Sequence, residues 1–283
     1  LAGYLKALGV LRLLGEQKPD WAARGAWRED RFVLRSETFT GDLKADRQRL
    51  EDFFLNEYRP TPIVAPWNGG SGFFPGDNRI GIDALGDSQA ERFAEYRQAI
   101  RFGREIVDRL GLSESPKQEA KAEFLTLVRG RAPEALLAWM DAAILLAGSE
   151  PRYPPLLGTG GNDGRLDFTN NSMQRLAELL ELATGNAKPG ARAWLSAALF
   201  GEVEPGMKVA AVGQFNPGAV GGPNASAGFE AESFVNPWDF VLVLEGALFF
   251  AATTTRRLEA AEPGMLAYPF TVRPAGVGNG GLG

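Results

Sequence analysis

The stretch LAGYLKALGVLRLLGE, residues 1–16, repeats Leu1, Leu5, Leu8 and Leu11 at helical spacing, with Tyr4 and Leu14 widening the stripe, and predicts a core-facing helix. The period then changes. GAWREDRFVLRS, 25–36, sets aromatic and β-branched residues on both sides of a charged Arg28-Glu29-Asp30 turn, which predicts a hairpin carrying Trp27 on one strand and Phe32, Val33 and Leu34 on the other. Helical spacing returns from Asp42 to Tyr58, with Leu43, Leu50, Phe53 and Phe54 facing inward and Pro60 and Pro62 as the stop. A loop follows at 60–79, PTPIVAPWNGGSGFFPGDNR, whose Trp67, Phe73 and Phe74 predict that it packs on the fold rather than hanging free. Further helices are expected at 88–110, 117–130, 133–147, 172–184 and 189–200, and a second glycine-proline loop at 213–228. Asn236-Pro237-Trp238-Asp239 then supplies an N-cap, a proline at the first helical position and an acid in the first turn, opening an apolar helix. YPFTVR, 268–273, reads as a strand.

These elements predict an α+β fold, predominantly helical, with short β-hairpins or a sheet near the N-terminus and long Gly/Pro-rich loops. A sub-boundary is placed near 148–158, between a mixed α/β part at 1–148 and a mainly helical part at 158–283. The start on Leu1 inside a helical pattern and the glycine-rich end read as the N-terminal portion of a longer chain. The apolar stretch at 240–255 is shorter than the roughly 20 residues a membrane span needs and carries Glu245, so a buried core helix is expected and no membrane partner.

Composition narrows the chemistry. The 283 residues contain no cysteine and no histidine, which removes disulfides, thiolate nucleophiles, zinc sites of the usual kind and Ser-His-Asp catalysis within this stretch. The absence of cysteine fits a cytoplasmic location. A net charge of -5 gives the chain no global field for nucleic acid, so any such binding has to be local.

Three stretches carry candidate chemistry. GTGGNDGRLDFTNNSMQRL, 158–176, lacks the Lys-Ser/Thr of a phosphate-binding loop, the third glycine of a dinucleotide fingerprint and the twelfth-position glutamate of a calcium loop. Asp163 and Asp167 could hold magnesium, as in a metal-dependent phosphodiesterase, or could be ordinary turn residues. Asn171 with Gln174 fits a helix cap, which leaves Asn162, Arg165 and Asn170 as amides and a cation on bare backbone, suited to a phosphate or a base edge. PWNGGSGF, 66–73, repeats that grammar in Asn68, Gly69, Gly70 and Ser71, with a tight turn as the alternative. Arg97, Arg101 and Arg104 share one helical face, suited to phosphates or to a solvated stripe paired with Glu105 and Asp108.

In that order along the chain, LAGYLKALGVLRL, YRPTPIVAPWNGGSGF, GTGGNDGRLDFTNNSMQRL, NPWDFVLVLEGALFFAA and PFTVR resemble the large-subunit proteins of type I-G CRISPR systems, formerly type I-U. The resemblance implies a non-catalytic large subunit of a Cascade-type surveillance complex, without cofactor or metal. Its partners would be CRISPR RNA, target double-stranded DNA, the other Cascade subunits (backbone and guide-handle-binding proteins) and the helicase-nuclease effector. The implied work is recognition of the protospacer-adjacent motif, duplex opening and R-loop stabilisation in antiviral defence. Under it Asn68–Ser71 and Asn162, Arg165 and Asn170 become candidate nucleic-acid contacts, and the arginine stripe a candidate backbone contact.

Overall fold

Ala2–Gln17 form α1 in the computed structural model, which describes residues 1–146, 150–154, 156–163, 166–202, 206, 208–211, 232–255 and 265–267. The helix buries Leu5, Ala7, Gly9, Val10, Leu13 and Leu14, whereas Leu1 is 60% exposed and Leu8 and Leu11 are half-buried. The core face is therefore rotated from the predicted Leu1-Leu5-Leu8-Leu11 stripe. Its position is set by a glycine, as the last long helix shows below.

The hairpin forms as predicted: β1 (Arg24–Arg28) pairs antiparallel with β2 (Arg31–Arg35), Trp27 opposite Phe32. Asp42 caps α2 (Leu43–Asp52), its carboxylate accepting from the Lys44 and Ala45 backbone N–H groups. The helix then widens into one π turn, Phe53–Glu57, that brings Phe53, Phe54 and Tyr58 into the core. Leu43, expected inside, is 67% exposed. It shares the face of Leu50 but lies two turns earlier, past the edge of the core, where it lines an open recess with Phe39 and Phe200.

Short α3 (Ile80–Asp87) was not legible, because two glycines and an 80% exposed Ile80 blur its period. The expected helix at 88–110 is α4 (Ala94–Arg109) behind a 3-10 turn at Glu91–Phe93. Next come α5 (Gln118–Arg131) and α6 (Glu134–Ala143); α6 stops short of 147 because β3 (Leu145–Leu146) turns away to pair with β4 (Pro151–Arg152). A second small hairpin, β5 (Asn162–Asp163) and β6 (Leu166–Asp167), leads directly into α7 (Phe168–Leu179), which begins and ends earlier than the expected 172–184. It is followed by α8 (Ala191–Phe200), the pair β7 (Lys208–Ala211) with β8 (Glu232–Val235), α9 (Pro237–Ala247), and the pair β9 (Thr253–Thr255) with β10 (Met265–Ala267). Among the described residues every sheet is two-stranded, so the fold is α+β and predominantly helical, with strand pairs in both halves. The 213–228 loop and the predicted strand PFTVR lie outside the described residues.

Packing centres on α1 and α9. A Cβ on Gly246 would overlap the Leu5 carbonyl oxygen, and one on Gly9 would overlap the Leu242 carbonyl oxygen. Backbone meets backbone there, a closeness only glycine permits. The Asn236 amide oxygen caps α9 at the Trp238 N–H, 3.0 Å, as the sequence predicts. Glu245, buried in the middle of this apolar helix, accepts from Arg12 Nη1 at 2.6 Å, Tyr58 Oη at 2.8 Å, Thr61 N at 3.1 Å and Thr61 Oγ1 at 2.7 Å. Such a set of donors satisfies the carboxylate's hydrogen-bonding capacity in an apolar surrounding. Burial and the adjacent Glu245 charge in turn push the Tyr58 phenol well above its ordinary range.

Arg92 fixes the π turn from outside. Its guanidinium donates to the carbonyls of Phe54, Leu55, Tyr58 and Gly185 at 2.6–3.2 Å, satisfying the open end of that turn and tying it to the connection after α7. One hydrophobic cluster runs from Leu5 to Phe250 and includes Trp67, Trp139, Phe168 and Trp238, so residues on both sides of the 148–158 region share one core. Among the described residues no helix is long and apolar enough to cross a membrane.

Candidate functional site

The two glycine loops, about 90 residues apart in sequence, fold against each other. In the first, residues 60–68 are buried and run to Trp67, whose indole Nε1 donates to the Gly160 carbonyl at 2.8 Å. Asn68, 4% exposed, donates its amide to the same oxygen at 2.7 Å and accepts from Lys121 Nζ at 3.0 Å. Burial pulls the Lys121 ammonium below its ordinary pKa. Beyond Asn68 the chain wraps a carboxylate of its own: Asp77 accepts from Gly70 N at 2.8 Å, Gly72 N at 2.9 Å and Phe74 N at 3.1 Å. Positive φ at Gly70 and Gly72 turns these N–H groups toward one point. The Ser71 hydroxyl is buried and donates to the Asn68 carbonyl. Phe73 fills a notch over Gly103 of α4, where a Cβ would overlap its ring. The aromatics thus pin the loop, as its composition predicts.

The second loop carries positive φ at Gly158, Gly160 and Gly161 and closes on itself through Thr159 N to Asn162 O, 2.7 Å, and Gly161 N to Leu157 O, 2.9 Å. A Cβ on Gly161 would meet the Trp139 ring. With its amide turned to donate, Asn162 Nδ2 lies 2.6 Å from Asp167 Oδ2 and 3.0 Å from the Gly161 carbonyl. Asp167 is the N-cap of α7: Oδ1 accepts from Asn170 N and Thr169 Oγ1, both at 2.6 Å. Asn171, expected to be the cap, stands one turn inside the helix and donates Nδ2 to the Asp167 carbonyl at 2.8 Å. Asn170 Nδ2 crosses to the Gly70 carbonyl at 3.3 Å and closes the contact between the loops.

Burial raises the Asp167 carboxyl to about 6, with the negative charge of Asp77 adding to the rise and the donors Thr169 and Asn170 opposing it. A carboxylate so enclosed offers no open ligand to a cation, and among the described residues no cluster of three or more acidic side chains could hold a metal.

The sequence candidates therefore divide. Asn68 is held by the Gly160 carbonyl and Lys121 of α5, Ser71 by the Asn68 carbonyl, and Asn162 donates to Asp167 and the Gly161 carbonyl, so these side chains have partners within the fold. Gly69 and Gly70 are exposed as backbone, with half-buried Asn170 beside Gly70. Arg165 lies outside the described residues, as does the side chain of Asp163. On α4 the arginine stripe is broken up: Arg97 donates to the Ala90 carbonyl at 2.5 Å, Arg104 pairs with Asp83 of α3, and Arg101 remains exposed. Sequence reasoning missed Asp77, Lys121 and Asp167 as the loops' fixing groups. Asp167 had a signal, an Asp three residues before an amide at a helix start; Lys121 had none, because its partner is 53 positions away. Comparison with known proteins gives no match, either to a family model or to a curated sequence.

Proposed function

We propose that the chain is part of a non-catalytic large subunit of a type I-G CRISPR surveillance complex, working in the cytoplasm with a guide RNA and target duplex DNA. The observation that carries this reading is where the resembling stretches meet. Arg12 of the first, Tyr58 and Thr61 of the second and Glu245 of the fourth share one buried network, and Trp67 and Asn68 of the second hold Gly160 of the third. Residues from four of the five resembling stretches thus build one unit together, which supports reading those four as parts of one pattern. In such a complex guide pairing supplies most of the sequence specificity, and the protein reads the adjacent motif, opens the duplex and grips backbone. Recruitment of the helicase-nuclease would bring the cleavage activity that this chain's chemistry does not suggest.

The capping role of Asp167 weighs against a magnesium-dependent phosphodiesterase built on Asp163 and Asp167. A purely architectural subunit draws support from the loops' mutual hydrogen bonding. Sequencing the RNA that co-purifies with the tagged chain from its native cells separates these readings. Enrichment of CRISPR-repeat-derived RNA is the expected result; protein partners without such RNA would favour the architectural reading and sink the proposal.

A further inference from the structure

The β1–β2 hairpin has two chemically opposite faces. Directly across it stand Arg24 and Arg35, Gly25 and Leu34, Ala26 and Val33, Trp27 and Phe32, and Arg28 and Arg31. Because side chains alternate along a strand, Gly25, Leu34, Trp27 and Phe32 share one face and the other six residues share the opposite one. The first face packs on the molecule in part, Phe32 and Leu34 half-buried and Trp27 still 42% exposed. Trp27 stacks on Tyr4 of α1 with ring centroids 5.9 Å apart, Phe32 lies 5.4 Å from Trp27 with its ring across Gly25, and Leu34 packs on the edge of the core.

The second face carries arginine over arginine at both ends. All four arginines are exposed, and among the described residues none of their guanidinium groups has an ion pair. Like charges directly opposite weaken an antiparallel pair. The chain has 35 acidic residues against 30 basic ones, but the six strand positions of this face include no carboxylate, and Glu29 and Asp30 sit in the turn beyond it. Four exposed guanidinium groups with no ion pair among the described residues suit an anion supplied from outside.

We propose that this face holds the sugar-phosphate backbone of a nucleic-acid strand. A guanidinium matches a phosphate with two parallel hydrogen bonds, and the two arginine pairs, four residues or about 13 Å apart along the strand, span several nucleotides. Between them Ala26 and Val33 are small enough for a backbone to lie flat. The acidic turn opposes entry of the hairpin tip into a DNA groove or an anionic lipid surface, and the aromatic anchor a membrane would need, Trp27, is stacked on the other side. Recognition here is by charge and carries no sequence preference. The proposal deepens the reading above by naming a surface for its nucleic acid, and it rests on that reading for the presence of a guide or target strand.

Fluorescence anisotropy with labelled mixed-sequence RNA, single-stranded DNA and duplex DNA tests it on the full chain, comparing the parent with R24Q/R35Q, R28Q/R31Q and the fourfold variant. Each double variant is expected to lower the slope of log affinity against log salt by about 1.4 for a single strand or about 1.8 for a duplex. Thermal unfolding of the same variants should show no loss of stability, since the substitutions remove like-charge pairs. Parent and fourfold variant binding with the same slope would overturn the hairpin assignment while leaving the surveillance-complex reading intact. No binding of any nucleic acid by the parent, together with no repeat-derived RNA from native cells, would overturn both. Hairpin-dependent binding to phosphatidylserine vesicles but not to nucleic acid would also overturn it, in favour of a lipid surface.

Discussion

Asp167 shows how one side chain's role follows from its surroundings. It caps α7 with Oδ1, faces Asn162 with Oδ2, and is buried near a second carboxylate, Asp77. Its folded pKa of about 6 lies above the ordinary 3.8, so the folded state holds a proton that the unfolded chain releases across that interval. The group's contribution to stability is therefore fully present below the unfolded value and is lost as pH rises through the folded one. Asp167→Asn keeps an oxygen for the cap and removes the titration. Its stability relative to the parent should rise between pH 4 and pH 7, as measured by urea unfolding at both; an unchanged difference would mean that Asp167 titrates normally. Asp167→Ala loses the cap as well, at a cost of about 1 kcal/mol. The residue types of this loop were legible from sequence as turn and cap formers, but which Asx residue caps was not. Asn171 and Asp167 both precede helical residues, and the choice depends on where the β5–β6 pairing releases the chain.

At the scale of elements, most helix positions follow from local spacing, while the faces they bury follow from their partners. The leucine period announces α1, yet Gly9 decides its core face because α9 crosses there at backbone contact. Gly9→Ala or Gly246→Ala should force the two helices apart and cost about 3 kcal/mol. Gly15→Ala, in the same helix with open space around the new methyl group, should instead stabilise by about 0.5–1 kcal/mol. Chemical denaturation of the three variants checks both signs, and equal effects would refute the close crossing. The arginine stripe of α4 gives the same lesson for polar faces. Its spacing is real, but Asp83 and the Ala90 carbonyl claim two of its three members, and neither partner is visible from the helix's own sequence. In the β1–β2 hairpin, by contrast, alternation alone separates an aromatic face from an arginine face.

For the molecule as a whole, the buried Arg12–Glu245 pair and the Gly9–Gly246 crossing join the first helix to the last long one, and the core between them is continuous. Residues 1–148 and 158–283, produced separately, should therefore fail to show a cooperative thermal transition by circular dichroism, whereas the intact chain should unfold in a single one. A cooperative transition in either piece would support a boundary near 148–158. The sequence by itself determined the α+β, mostly helical class, the hairpin, the cap of α9 and the pinning of the first glycine loop by its aromatics, because periodicity, capping and turn chemistry act over a few neighbouring residues. Only the tertiary structure decided that Asn68 is an internal strut, that Asp77 fills its own loop, that Asp167 is an enclosed cap, and that four arginines stand together with no ion pair among the described residues. The first depends on groups brought close from distant positions, the second and third on how a local turn folds and is buried, and the last on the absence of a partner, and none of these can be counted until the chain has folded.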